Sequence, residues 1–254
     1  MSATSLVGKR EGSNRGAEWF TPKLRRVLLA YAQHNRSVGY CQSLNYLGGI
    51  VVVVVDAEED CFWLLSAILE FLLPKTYYGD LSGVMLDVEA LTALLERNLR
   101  AVKASTIGSP QEGARSKDAH HAPASGAAAS TGGLAQAVKE RLEMTHLPLT
   151  SFAAQWFMCA YVNVLSGASV IRVWDCLLME GVVVLFRVAL ALLKAIEGEL
   201  GMATEMEDAV AALQRARTLE IETVLQIAHS CFGSGVVDLS DLMQLRSQAI
   251  ACAP

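Results

Sequence analysis

Gln42 closes the run Tyr40-Cys41-Gln42 and stands just ahead of Ser43-Leu44-Asn45, a setting in which its side chain could do chemistry. A carboxamide accepts and donates hydrogen bonds at the same time, so it can hold a water molecule against a second polar group. The plainer use of such a residue is a polar contact at a helix start, satisfied by backbone. A second group, Gln155-Trp156-Phe157, Arg172-Val173-Trp174-Asp175-Cys176 and Glu180-Gly181, brings charge as well. There Asp175 is expected to form a structural hydrogen bond or ion pair with a neighbouring helix. Arg172 and Arg187 are expected to be structural, and Trp63 and Trp156 to pack in the core or between lobes.

Other chemistries find no support in the spacing. The six cysteines (Cys41, Cys61, Cys159, Cys176, Cys231 and Cys252) contain no C-x-x-C pair and have no nearby histidine at ligand spacing. No zinc site is therefore expected, and most cysteines read as small buried hydrophobes of a reducing, intracellular protein. No carboxylate, serine or cysteine is arranged in sequence around the five histidines. A phosphate loop of the G-x-x-x-x-G-K-[ST] kind is missing, so the chain is not expected to bind a nucleotide itself. No cofactor and no metal are expected.

The elements that position Gln42 are helical by period. Composition is globular and apolar, with 52% hydrophobic, 19% charged and only 7% aromatic residues, which points to an aliphatic core. A net charge of −5 argues against non-specific nucleic-acid binding, and Lys23-Leu24-Arg25-Arg26 is too short for a DNA-binding arm. Residues 1–19 are expected to be disordered. Thr21 as N-cap and Pro22 as first helical residue predict a helix to His34-Asn35, with Leu24, Val27, Leu28 and Tyr31 on one face. Val51–Val55 is β-branched and strand-like by propensity. No matching strand exists to pair with it, so the segment from Tyr40 to Val55 is predicted to be a buried helix.

An acidic start at Asp56–Asp60 leads into a helix stopped by Pro74. An amphipathic helix follows, with Val84, Val88, Leu91, Leu94, Leu95 and Leu99 inward and Asp87, Glu89, Glu96, Arg97 and Arg100 outward. Residues 104–133 break in composition, and Ala122–Gly133 is of low complexity, which predicts a flexible insertion. Helical periodicity resumes at Leu134 and runs through Gln155–Val164 and Ser169–Leu178. Gly181 breaks it ahead of a long apolar helix, Val182–Leu200. Thr218–Ala228 and Asp238–Ala251 complete the chain, with no internal repeat. The run Leu47–Val55 falls far short of the roughly 20 residues that span a bilayer, and Glu180, Arg187 and Lys194 interrupt Leu177–Ile196. Neither is expected to insert in a membrane.

The order and spacing of several blocks together resemble the TBC domain of Rab GTPase-activating proteins. They are Leu24-Arg25-Arg26-Val27-Leu28 with Ala30-Tyr31, Val38-Gly39-Tyr40-Cys41-Gln42, Glu58-Glu59-Asp60 with Phe62-Trp63, and then the second group above with Val184-Leu185-Phe186-Arg187. The resemblance implies an all-α fold of two helical lobes. Residues 20–103 would form the N-terminal part, 104–133 an insertion, and 134–250 the C-terminal lobe. It implies a partner, a Rab GTPase in its GTP form. It also implies a role for Gln42, which would reach into the Rab nucleotide site in trans, with Tyr40 packing beneath and orienting the loop. Ser43 stands where the family most often has glycine.

The family's second group is an arginine in an Ile-x-x-Asp-x-x-Arg motif, and a guanidinium suits the charge that develops in phosphoryl transfer. Arg25 and Arg26 match the family's helix motif instead, and neither Arg10 nor Arg15 has the Ile and Asp before it. The arginine finger is therefore unassigned, and the first helices of the domain are expected to be missing. Two functions follow from the resemblance. One is a Rab GTPase activator regulating vesicle trafficking, cytoplasmic or peripheral on membranes through the Rab. The other is a catalytically impaired Rab-binding scaffold or effector.

Overall fold

The computed structural model describes residues 15–107, 138–233 and 236–252. Of the disorder expected over 1–19 and the flexible insertion expected over 104–133, residues 1–14 and 108–133 lie outside the described residues, while 15–19 and 104–107 are helical. Among those described, every regular element is helical and there is no strand. The protein is all-α, as its periodicity predicts. It divides into two compact units, one ending at Asp80 and the other beginning at Leu81.

The first unit is built on α1 (Arg15–His34), α2 (Leu44–Val54) and α3 (Glu58–Ala67), which pack on one another. Helix α1 starts earlier than its sequence suggests, and Pro22 lies inside it rather than at its first position. Proline removes a helical hydrogen bond, so tertiary contacts must hold the preceding turn. Trp19 and Phe20 meet edge to face at 5.8 Å, Lys23 Nζ stands 5.8 Å from the Trp19 ring centre, and Phe20 reaches toward Gly49 of α2.

The β-branched run is helical in α2, and Val51 and Val52 are buried while Val53 and Val54 face outward. Propensity yields here because Leu44, Leu47, Val51 and Val52 bury one helical face, at roughly 1.5–3 kcal/mol each. Gly48 lets α1 approach closely: a Cβ there would lie 3.0 Å from the Leu24 side chain and 3.3 Å from that of Leu28, tighter than ordinary contact. The C-terminal end of α2 is closed by Lys23, only 8% exposed. Its Nζ donates to the carbonyls of Val55 at 2.7 Å and Asp56 at 2.8 Å, a cation on the negative end of the helix dipole. Three acidic residues, Glu58, Glu59 and Asp60, occupy the first turn of α3, which widens into a π-turn over Ile68–Leu72 before Pro74.

The second unit begins with α4 (Ser82–Ile107), which runs three residues past the composition break at 104. Residues 138–144 are helical, and α5 (Thr150–Met158), α6 (Gly167–Glu180), α7 (Val183–Ala195) and α8 (Glu197–Met202) follow. The unit ends with α9 (Met206–Gln214), α10 (Ile221–Phe232) and α11 (Leu239–Cys252). Helix α7 is buried all round from Val183 to Leu193, the mark of a central helix, and it packs against α5, α6 and α10.

Two predicted continuous helices are broken. The Gln155–Val164 run turns at Ala160 (φ 42°) and Tyr161 (φ 66°), where Trp174 Nε1 donates to the Ala160 carbonyl at 3.0 Å and the buried Tyr161 hydroxyl donates to the Leu185 carbonyl at 2.5 Å. The predicted Val182–Leu200 helix is interrupted at Ile196, between α7 and α8. Gly181, at φ 83°, makes the predicted stop between α6 and α7.

Asp87 was expected on the polar face of α4, yet it is fully buried. Arg246 of α11 grips it with Nε to Oδ1 at 2.5 Å and Nη2 to Oδ2 at 2.7 Å, a bidentate pair that compensates the buried carboxylate. Among the described residues no helix is long and apolar enough to cross a membrane.

Candidate functional site

The loop from α1 to α2 carries Tyr40 and Gln42, and Asn35 shapes it. Asn35 Oδ1 accepts from the Val38 amide at 3.3 Å and from the Ser37 hydroxyl at 2.6 Å. Its Nδ2 donates to Glu70 at 3.0 Å and to the Tyr31 hydroxyl at 3.3 Å. The loop is thereby tied to the end of α3 through a network whose base, Tyr31, is fully buried. Burial, reinforced by Glu70, pushes the Tyr31 phenol up to about 12, so it stays a neutral hydrogen-bonding group. Sequence reasoning passed over Asn35. The available signal was an asparagine at a helix end two residues before a serine, a common turn-forming arrangement.

The loop ends in a sharp turn at Ser43, which adopts φ 97° and ψ −25° and is 3% exposed. The Leu47 and Tyr46 amides donate to its carbonyl at 3.4 and 3.0 Å, starting α2, and its hydroxyl makes no capping bond. A left-handed backbone disfavours any residue with a Cβ. This is the physical basis for glycine at the position and shows what Ser43 costs here. The turn leaves Gln42 exposed, with no side-chain hydrogen bond among the described residues. The backbone-satisfied polar contact that was the plain reading of Gln42 is not what the fold makes.

Tyr40 is 60% exposed, so it does not pack beneath the loop. Gly39, at φ 58°, turns the chain just before it, and the ring instead borders a groove of about 270 Å³ on α1, lined by Leu24, Arg25, Leu28 and Leu29. Trp63 is likewise 55% exposed rather than core. It joins a surface cluster with Phe62 at 4.8 Å and His34 at 6.1 Å, while Cys61, Leu65 and Ile68 fill the interior.

Arg26 pairs with Glu58 at 2.5 Å, Arg25 lines the groove, and Arg36 is exposed in the loop. Arg10 lies outside the described residues.

In the second unit the motif residues are structural. Trp156 and Phe157 are buried, and the Phe157 ring packs on Phe186 at 4.8 Å. Asp175 pairs with Arg172 at 3.1 Å within α6 itself, and both are exposed. The link to a neighbouring helix is made by Arg172 instead, to Glu222 of α10 at 2.8 Å. Arg187 is buried and donates to the Val237 carbonyl from Nε and Nη2 at 3.2 and 3.0 Å, and to Glu180 at 2.8 Å. The fold also brings Cys176, Glu180 and His229 together, a juxtaposition that sequence spacing concealed because His229 comes from another helix.

Helical architecture, the exposed amide followed by a left-handed turn, and the buried tryptophan blocks are the features to set beside known proteins. Residues 17–105 and 134–200 match the Rab-GTPase-TBC domain. The chain belongs to that family. It is 34% identical over 185 residues to human growth hormone-regulated TBC protein 1, covering 73% of this chain and 44% of that protein. Over 191 residues it is 35% identical to the GTPase-activating protein MSB4 of Saccharomyces cerevisiae, covering 75% and 36%. Its fold is similar to the crystal structure of the Chlamydomonas flagellar RabGAP TBC domain, with a TM-score of 0.63 and 25% identity over 91% of this chain and 67% of that one. The chain spans less than half the length of the curated relatives it matches.

Proposed function

We propose that this domain binds a Rab-family GTPase in its GTP form and promotes hydrolysis in trans, with Gln42 inserted as the water-positioning group. The observation that carries the proposal is the exposed, unengaged carboxamide of Gln42, presented by the strained turn at Ser43 where α2 begins. GTP hydrolysis spreads charge over the transferring phosphoryl oxygens, so positioning the water and neutralising that charge supply most of the acceleration. A carboxamide can accept from the water while donating to a phosphoryl oxygen. The N-terminal end of α2 adds the positive end of a helix dipole on the same side of the turn.

Tyr40 would support the loop from its surface position, contacting the partner rather than the core. The arginine of the family's pair remains unassigned in this chain, and a guanidinium finger is worth about 10³–10⁵ in rate. Stimulation by this chain alone is therefore expected to be weak while binding is retained. A Rab acting in vesicle trafficking would bring the domain to membranes peripherally.

The test is a panel of GTP-loaded Rabs assayed for binding and for single-turnover hydrolysis with this chain. Binding to one or more Rabs with modest stimulation is expected. Absence of binding to every Rab would contradict the proposal. Strong stimulation would show that an arginine within the chain completes the pair, and alanine at Arg10, Arg15 and Arg36 would locate it.

A further inference from the structure

Near the C-terminal end of α6, Cys176 and Glu180 stand one helical turn apart and face His229 of α10. A sulfur, a carboxylate oxygen and a ring nitrogen from these three residues lie within 4.8 Å of one another. His229 Nε2 is 3.7 Å from Glu180 Oε1. We propose that Cys176, Glu180 and His229 form a binding site for one borderline-soft divalent cation, Zn²⁺ foremost, with a fourth position left to water.

The donor set selects the metal. Hard cations such as Ca²⁺ and Mg²⁺ take oxygen ligands, while zinc accepts thiolate, imidazole and carboxylate together. Ligands about 2.0–2.3 Å from a tetrahedral zinc are about 3.3–3.8 Å apart. Glu180 and His229 already meet that spacing, and the rest of the approach is within reach of side-chain rotation.

Glu180 is also oriented for the role. Its Oε2 is held at 2.8 Å by Nη1 of the buried Arg187, which is fixed in turn by the Val237 carbonyl. The other oxygen is thereby left on the histidine side, the arrangement by which outer partners aim a metal ligand.

The charged groups around the thiol balance in favour of a cation. Glu180, Asp175 and Glu222 supply three carboxylates against two guanidiniums, Arg172, held by Glu222 at 2.8 Å and Asp175 at 3.1 Å, and Arg187, held by Glu180 at 2.8 Å. On coordination the thiol gives up its proton to solvent and binds as thiolate. A bound ion would clip α6 to α10 beside the Gly181 corner.

Titration calorimetry with Zn²⁺, and absorption spectra with Co²⁺ as a probe, test this on the whole chain. One ion per chain is expected, with a thiolate-to-cobalt charge-transfer band. Cys176→Ser should abolish the band and weaken Zn²⁺ by about 100-fold or more, and His229→Gln should weaken it comparably. His229 is exposed, so its variant keeps the fold and serves as the check on Cys176→Ser. Cys231→Ser should leave both signals unchanged. No binding at micromolar Zn²⁺, or binding that survives Cys176→Ser and His229→Gln, would overturn the site.

Discussion

Gln42 points into solvent because Ser43, the next residue, is buried in a left-handed turn. The exposed amide and the strained serine form one device, in which the turn both starts α2 and turns the carboxamide outward. A Cβ in the left-handed region costs on the order of 1–3 kcal/mol and persists where the surroundings over-determine it.

Ser43→Gly should therefore stabilise the protein, by about 1 kcal/mol. Thermal melting should rise by about 2–4 °C. An unchanged or lower melting temperature would show that the Ser43 side chain contributes more than its backbone costs.

Asn35 holds the same loop from the other end. Removing its amide in Asn35→Ala takes the acceptor from the Val38 amide and one donor from Glu70, and should cost about 1–3 kcal/mol of stability. Stimulation of hydrolysis should fall further than stability explains, because Gln42 loses its fixed presentation. Comparing the variant with wild type well below its melting temperature separates the two effects. Full stimulation there would mean that the loop does not depend on Asn35.

In the second unit the Asp87–Arg246 pair is the corresponding fixed point. Arg246→Ala would take the bidentate guanidinium from a fully buried carboxylate, and about 3–5 kcal/mol should be lost in denaturant unfolding. The double change Asp87→Leu with Arg246→Met should recover much of that loss, since an apolar pair of similar volume avoids the desolvation cost. Failure of the double variant to recover would point to the other partners of these residues as the larger contribution.

Periodicity made the helices legible, down to the stop at Gly181 and the α1 face on which Val27 and Tyr31 are buried and Leu24 and Leu28 half-buried. The absence of a strand to pair with rightly made Val51–Val54 helical against propensity, but the helix expected from Tyr40 to Val55 begins only at Leu44, with Tyr40–Ser43 in a loop and Val55 extended. What periodicity could not show were features that depend on non-local partners. Asp87 is placed by its helical period on a polar face, and its bidentate partner Arg246 lies 159 residues away in the chain. Pro22 reads as a helix start until Trp19 and Phe20 are seen to anchor the turn before it. Ala160 and Tyr161 carry no turn signature, and their bend is imposed by Trp174 and Leu185. Helix α9 went unassigned because its apolar face is made of alanines and one leucine. At the site, the sequence pointed to Gln42 and to the oddity of Ser43, but it misjudged Tyr40 and did not reach Asn35. Cys176 and His229 were read as unrelated because ligand spacing along one chain does not register a helix-to-helix approach.

The most direct test of the central claim compares wild type with Gln42→Ala in single-turnover GTP hydrolysis by a Rab that the chain binds. An exposed amide contributes little to packing, so the variant should melt with wild type and retain Rab binding. Its stimulation over the intrinsic rate should be lost, by about tenfold or more wherever wild-type stimulation is large enough to measure, because the amide acts on the water of the transition state. Stimulation equal to wild type in a folded, Rab-binding Gln42→Ala protein would contradict the account.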